Sequence, residues 1–95
     1  MRIVSGKFKG RRITAPKNLP VRPTTDLSKE ALFNILNHQF SFRELRVLDI
    51  FAGSGALGLE ALSRGAKKAT FIDLDESAIK CINSNISMLS LKDKT

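Results

Sequence analysis

A carboxylate at the end of an apolar run, followed by three closely spaced glycines, carries the chemistry of this chain: Asp49-Ile-Phe-Ala-Gly53-Ser-Gly55-Ala-Leu-Gly58. Glycines let the backbone turn tightly and approach a ligand where any Cβ would collide. The helix end that follows such a loop attracts anions, which is how the pyrophosphate of a dinucleotide is held. Asp49 places a negative charge at that same mouth, four residues before the first glycine. The ligand favoured at this end is therefore cationic or neutral. S-adenosylmethionine, with an ammonium, a sulfonium and no phosphate, meets that demand better than a dinucleotide does. Asp73 follows Gly53 by twenty residues, the distance at which a Rossmann-like half-domain uses an acid to accept hydrogen bonds from ribose hydroxyls. Both cofactor classes use that device, so Asp73 points to an adenosine ligand and Asp49 chooses between the classes. Taken alone, the glycine triplet would equally suit a tight turn with no ligand.

The elements needed to hold these residues are legible around them. Arg46-Val-Leu-Asp-Ile-Phe51 reads as a buried strand that delivers Asp49 to the loop, and residues 56–63 read as a helix ending at the C-cap pair Arg64-Gly65. Ala69-Thr-Phe-Ile-Asp73 is a second strand of β-branched and aromatic residues. A helix over residues 76–89 turns Ala78, Ile79, Ile82, Ile86 and Leu89 inward. Upstream, Thr24, Thr25 and Asp26 are N-cap candidates for a helix over about residues 27–38, whose stripe of Leu27, Ala31 and Ile35 beside Leu32, Phe33 and Leu36 requires a packing partner. Residues 2–16 form two short extended runs around the turn Gly6-Lys-Phe-Lys-Gly10, a predicted β-hairpin, and Pro16, Pro20 and Pro23 mark an extended linker after it. The class is α/β.

All of the excess charge lies at the front. The formal net charge is +7, and residues 1–23 hold Arg2, Lys7, Lys9, Arg11, Arg12, Lys17 and Arg22 with no acid. The remainder is balanced, with nine basic and nine acidic side chains. A cationic field so concentrated attracts a polyanion, with an affinity that falls as salt rises. The single Cys81 excludes an internal disulfide, suits a reducing setting, and reads as a small core residue of its helix. His38 reads as a partner for a helix C-terminus. No run approaches the about 20 apolar residues of a membrane span, and the N-terminus lacks a signal-peptide core. A soluble, cytoplasmic protein is expected. Ninety-five residues with two parallel strands are short for a cofactor-binding α/β enzyme, for which about 150 or more are expected, so the chain reads as the front portion of a larger protein.

Four segments together resemble the bacterial 16S ribosomal RNA guanine-N2 methyltransferase family: Met1-Arg-Ile-Val-Ser-Gly-Lys-Phe-Lys-Gly-Arg-Arg12, Arg22-Pro-Thr-Thr-Asp26, Glu30-Ala-Leu-Phe-Asn-Ile-Leu36, and Leu48 through the glycine loop to Gly65. The resemblance runs from the first residue to about Asn85. It implies a class I, Rossmann-like S-adenosylmethionine-dependent methyltransferase domain whose first half spans residues 24–95, preceded over residues 1–23 by a basic hairpin arm and linker that contact RNA. It further implies that Asp49, Phe51, Ala52, Gly53, Ser54, Gly55, Ala56 and Gly58 form the first cofactor motif, that Asp73 holds the ribose, and that Arg22 and Thr24 belong to a segment closing over the methionine end. Arg2, Lys7, Lys9, Arg11, Arg12 and Lys17 are the candidate RNA contacts, and the implied partner is 16S ribosomal RNA or the small ribosomal subunit particle.

One departure from the family pattern bears on catalysis. The Asn- or Asp-Pro-Pro-aromatic loop that would hold the target amine is absent, since no proline follows Pro23. No catalytic residue or metal ligand is therefore assigned, and the 95-residue chain alone is expected to be inactive and prone to self-association through an uncovered sheet edge. Two other readings share these features: a DNA amino-methyltransferase, which uses the same cofactor loop, and an RNA-binding remnant that keeps the arm without the chemistry.

Overall fold

Alternation of burial along two short runs builds the sheet. In the computed structural model, which describes residues 2–14, 26–39, 41–50 and 53–95, strands β1 (Arg46–Ile50) and β2 (Lys68–Ile72) pair in parallel with Asp49 opposite Phe71 and Ile50 opposite Ile72. Val47, Asp49, Ala69 and Phe71 are the more buried positions, so they face the helical layer. The opposite face keeps Leu48, Ile50 and Ile72 exposed. Among the described residues β1 pairs only with β2. A parallel sheet is ordinarily covered on both faces, and among the described residues one face is bare.

Among the described residues three α-helices accompany the sheet: α1 (Asp26–Gln39), α2 (Ala56–Ser63) and α3 (Glu76–Met88). Two single 3-10 turns, Phe42–Glu44 and Lys92–Lys94, were not anticipated from sequence. Helix α2 is the centre of the molecule, with seven of its eight residues buried. A helix buried nearly all round must be enclosed by other elements. Gly58 lets it lie directly on β2, because a Cβ there would stand 2.3 Å from Cε1 of Phe71. Ile82 and Ile86 of α3 join Ala56, Leu59 and Ala69 in the same core. Asp75 caps α3, its side chain accepting from the Ser77 amide at 2.7 Å.

The basic arm is part of this core. Ile3 and Ile13 are buried within the same cluster as α2 and α3, while Arg2, Lys7, Lys9, Arg11 and Arg12 stay exposed. Its turn is closed by a bond from the Ile3 amide to the Arg11 carbonyl at 2.9 Å and one from the Gly10 amide to the Ile3 carbonyl at 2.8 Å. Pairing across the turn amounts to one antiparallel bridge, Arg2 with Arg12. The arm is thus held less by its own ladder than by α2: the Lys7 amide donates to the Ser63 carbonyl at 2.8 Å, and Gly6 lies so close that a Cβ would meet that oxygen at 2.0 Å.

Helix α1 differs from the stripe read in the sequence. Lys29 and Phe33 turn inward and Leu36 is half-buried, whereas Leu27, Leu32 and Ile35 are exposed. Phe33 meets the ring of Phe42 with centroids 5.5 Å apart, and the Arg64 guanidinium lies over its face at 5.0 Å. An ion-pair partner in α2 decides which side of α1 faces inward, as described next.

Candidate cofactor site and arm anchor

The sequence of β1 brings Asp49 to the start of α2, and the helix end explains what its carboxylate does there. Gly55 is the N-cap residue and has no side chain to satisfy the first amides, with φ at 81°. Asp49 supplies the missing acceptor from a neighbouring element: its Oδ2 accepts the Gly58 amide at 3.2 Å. Asp49 is buried, and desolvation raises its pKa above 3.8, opposed by the Gly58 bond and reinforced by the charge of Asp73. Beside it lies an apolar cavity of about 330 Å³, walled by Leu32, Phe33, Leu36, Val47 and Leu57.

Asp73 stands just beyond β2 at the mouth of the glycine loop. Its Oδ2 accepts the Gly53 amide at 2.9 Å and its Oδ1 the Asp75 amide at 2.9 Å. These backbone bonds, with a further one from Leu74, hold its pKa below 3.8. A carboxylate has about four lone-pair sites, so these three backbone bonds leave capacity to accept a ligand hydroxyl. Gly53 and Gly55 both lie in the left-handed region. The donor set fits an adenosine ligand with a cationic end: the anion seat at the helix is already taken by Asp49, and an ionised acid with spare acceptors borders the loop.

Of the other residues assigned to the cofactor, Ser54, Gly55, Ala56 and Gly58 are buried, and Gly58 packs on Phe71. Arg22, Thr24, Phe51 and Ala52 lie outside the described residues, as does Lys17 among the RNA candidates. The structure gathers Lys7 and Arg11 around a polar cleft of about 350 Å³ with Lys94 and Asp93, and Arg11 Nη2 donates to the Met88 carbonyl at 3.2 Å.

Two buried polar side chains that the sequence reading passed over tie the arm to this site. Glu60 of α2 is fully buried, and its Oε1 accepts the Val4 amide at 2.8 Å while its Oε2 accepts the Ser5 amide at 3.0 Å and Arg64 Nε at 2.9 Å. Lys29 of α1, also fully buried, stands 3.6 Å from Glu60 Oε1 and donates to the Arg2 carbonyl. A carboxylate so deep is tolerable only when paired and hydrogen-bonded. Asn85 of α3 is the second: its Oδ1 accepts the Thr14 amide, and its Nδ2 donates to the carbonyls of Thr14 and Ser54, each at 2.9 Å. Ser63 adds a third tie, accepting from the Phe8 amide at 2.9 Å and donating to the Ser5 carbonyl at 2.7 Å. Signals existed for the first two. Glu60 is a lone acid within the apolar run Leu57-Gly-Leu-Glu-Ala-Leu, and Asn85 falls on the inward stripe between Ile82 and Ile86.

The whole chain, residues 1–95, matches the family described as Conserved hypothetical protein 95. The chain belongs to that family. Relatives that it resembles include "Ribosomal RNA small subunit methyltransferase D" of Escherichia coli, 44% identical over 89 residues that make up 94% of this chain and 44% of the relative. "Putative rRNA methyltransferase YlbH" of Bacillus subtilis is 47% identical over 91 residues, 96% of this chain and 48% of the relative. Among solved structures, the Escherichia coli protein described as "Putative methyltransferase yhhF" superposes with a TM-score of 0.82 at 40% identity, covering 97% of this chain and 48% of that one. The fold is that of a methyltransferase, and the family resemblance read in the sequence holds. The chain spans about half the length of the curated relatives it matches. Among the described residues no helix is long and apolar enough to cross a membrane.

Proposed function

We propose that this chain is the cofactor-binding half of a class I, Rossmann-like methyltransferase that uses S-adenosylmethionine to methylate the N2 amine of a guanine in 16S ribosomal RNA, in a cytoplasmic setting. The observation that carries the reading is the placement of Asp49 on the Gly58 amide in the first turn of α2, with Asp73 on the Gly53 amide of the same loop. A phosphate at this helix end would be repelled by Asp49, whereas an ammonium or sulfonium would be attracted. The names of the relatives supply the substrate class, and the exposed cations of the arm supply a surface for its backbone.

When bound, the cofactor supplies a methyl group already activated by its sulfonium. At the target amine it would supply an in-line displacement in which the N–C bond forms as the S–C bond breaks and the amine gives up a proton. The chain's own residues would bind and orient the cofactor, Asp73 accepting from ribose hydroxyls, the loop backbone and Asp49 attracting its cationic end, with Arg22 and Thr24 in the segment assigned to close over it. Arg2, Lys7, Lys9, Arg11, Arg12 and Lys17 grip phosphates. Position is what such a site contributes. The residues that hold the target amine lie outside the matched motifs, so residues 1–95 alone carry no transfer. The exposed Leu48, Ile50 and Ile72 provide a surface through which separate copies would associate.

A tritium-transfer assay tests this. A protein of the relatives' length carrying this chain is expected to label 16S ribosomal RNA at guanine N2, and residues 1–95 to give no label. Label in duplex DNA with none in RNA would overturn the reading.

A further inference from the structure

Asn85 touches the glycine loop with one hand and the end of the arm with the other. A primary carboxamide has two N–H donors, and both are spent here, on the Ser54 and Thr14 carbonyls, while its oxygen accepts the Thr14 amide. Cys81 donates to the same Thr14 carbonyl at 2.8 Å, so Thr14 has both backbone polar groups fixed from α3. Asn85 is fully buried, which keeps water from substituting for any lost partner. Ser54 sits between Gly53 and Gly55, and the direction of its carbonyl follows the conformation of the loop that Asp73 grips at the Gly53 amide. Because the amide is planar, it cannot rotate to follow one partner without abandoning the other.

We propose that Asn85 is a positioning residue that couples occupancy of the glycine loop to the seating of the basic arm. This rests on the cofactor and RNA reading above. A ligand on the loop backbone holds the Ser54 carbonyl where Asn85 needs it, which holds Thr14 and with it the register of Arg11 and Arg12, three and two residues earlier. Ordering one end lowers the conformational cost of ordering the other, so cofactor and RNA bind cooperatively. Linkage makes the effect reciprocal: whatever factor the cofactor lends RNA, RNA lends the cofactor.

The test uses a protein of the relatives' length, transcribed 16S ribosomal RNA and S-adenosylhomocysteine, which cannot react, at one fixed salt concentration. Saturating S-adenosylhomocysteine is expected to tighten RNA binding by about 5-fold or more. In Asn85→Asp, which sets a carboxylate against two carbonyls, that ratio is expected to fall to about 1, while Asn83→Asp, exposed on the same helix, keeps it. A ratio of 1 in the unaltered protein, or an undiminished ratio in Asn85→Asp, overturns the coupling. Should Asn85→Asp fail to fold, hydrogen exchange of the Thr14 amide in the unaltered protein decides: it slows on adding S-adenosylhomocysteine if the coupling holds, and is unchanged if it does not. Failure of S-adenosylhomocysteine to bind at all sinks the cofactor reading and this inference together, whereas independent binding of both ligands sinks the inference alone.

Discussion

Asp49 Oδ2 accepts the Gly58 amide at 3.2 Å, so a carboxylate from β1 occupies the helix-end donor that a dinucleotide phosphate would use. The same bond has a stability role, since Gly55 offers no capping side chain. Asp49→Asn separates the two roles, because its amide oxygen still accepts from Gly58 and only the charge is lost. S-adenosylmethionine affinity is expected to drop by about ten-fold or more, a charge-assisted contact contributing about 1.5–3 kcal/mol and 1.4 kcal/mol being a factor of ten. Calorimetric titration of both proteins checks this.

The two acids also set opposite pH dependences. Asp49 has its pKa raised by burial, so the folded protein holds that proton at a pH where the unfolded chain has lost it; ionisation costs the fold stability, and the cost fades as pH falls through the raised value. Asp73 is lowered by backbone amides, so its contribution is present above 3.8 and is lost only as pH falls through its lower folded value. Cofactor affinity should therefore weaken on acidification while pH is still above 3.8, when Asp49 takes its proton and Asp73 remains charged. A titration series toward acid should show that step, and Asp49→Asn should lack it.

Gly58→Ala sets propensity against packing. An alanine gains about 1 kcal/mol over glycine in a helix, but its Cβ would lie 2.3 Å from Cε1 and 2.7 Å from Cζ of Phe71, and overpacking costs about 1–3 kcal/mol. Because the nearest atoms belong to a ring held between α2 and β2, the clash is expected to win. Net destabilisation by urea unfolding, relieved in the double variant with Phe71→Leu, is the expected outcome.

Much of this was legible from local signals. The loop glycines and Arg64-Gly65 bound α2 at the residues where it begins and ends, and the apolar run that carries Asp49 marked β1. What escaped depends on partners distant in sequence. Lys29 turns inward on α1 because Glu60 awaits it on α2, a pairing no periodicity within 26–39 reveals, and so Leu27 and Ile35 were assigned to a face they do not occupy. The turn over residues 6–10 is legible in the sequence, whereas the anchoring of the arm by Glu60, Ser63 and Asn85 is not.

Glu60→Ala should expose that dependence. Removing one partner from a buried ion pair costs about 3–5 kcal/mol, and here it also orphans the Val4 and Ser5 amides. A loss of that order in urea unfolding, with faster exchange of the Val4 and Ser5 amides, is expected. Glu60→Gln, which keeps an acceptor, should lose less.

The arm should reveal itself through salt. Replacing Lys9, Arg11 and Arg12 with alanine should weaken RNA binding and reduce the slope of log affinity against log salt by about 0.7–0.9 for each phosphate contact removed, with cofactor affinity in the absence of RNA far less affected. Filter binding across a salt series measures it, and an identical slope would mean that the arm holds no phosphate.

The glycine loop with Asp73 is the centre of the functional reading, and titration with S-adenosylmethionine tests it most directly. In a protein of the relatives' length, one site is expected, and Asp73→Ala is expected to weaken it by about ten-fold or more, since it removes both the proposed ribose acceptor and the bond that holds the Gly53 amide. Equal affinity in a folded Asp73→Ala protein would contradict the assignment.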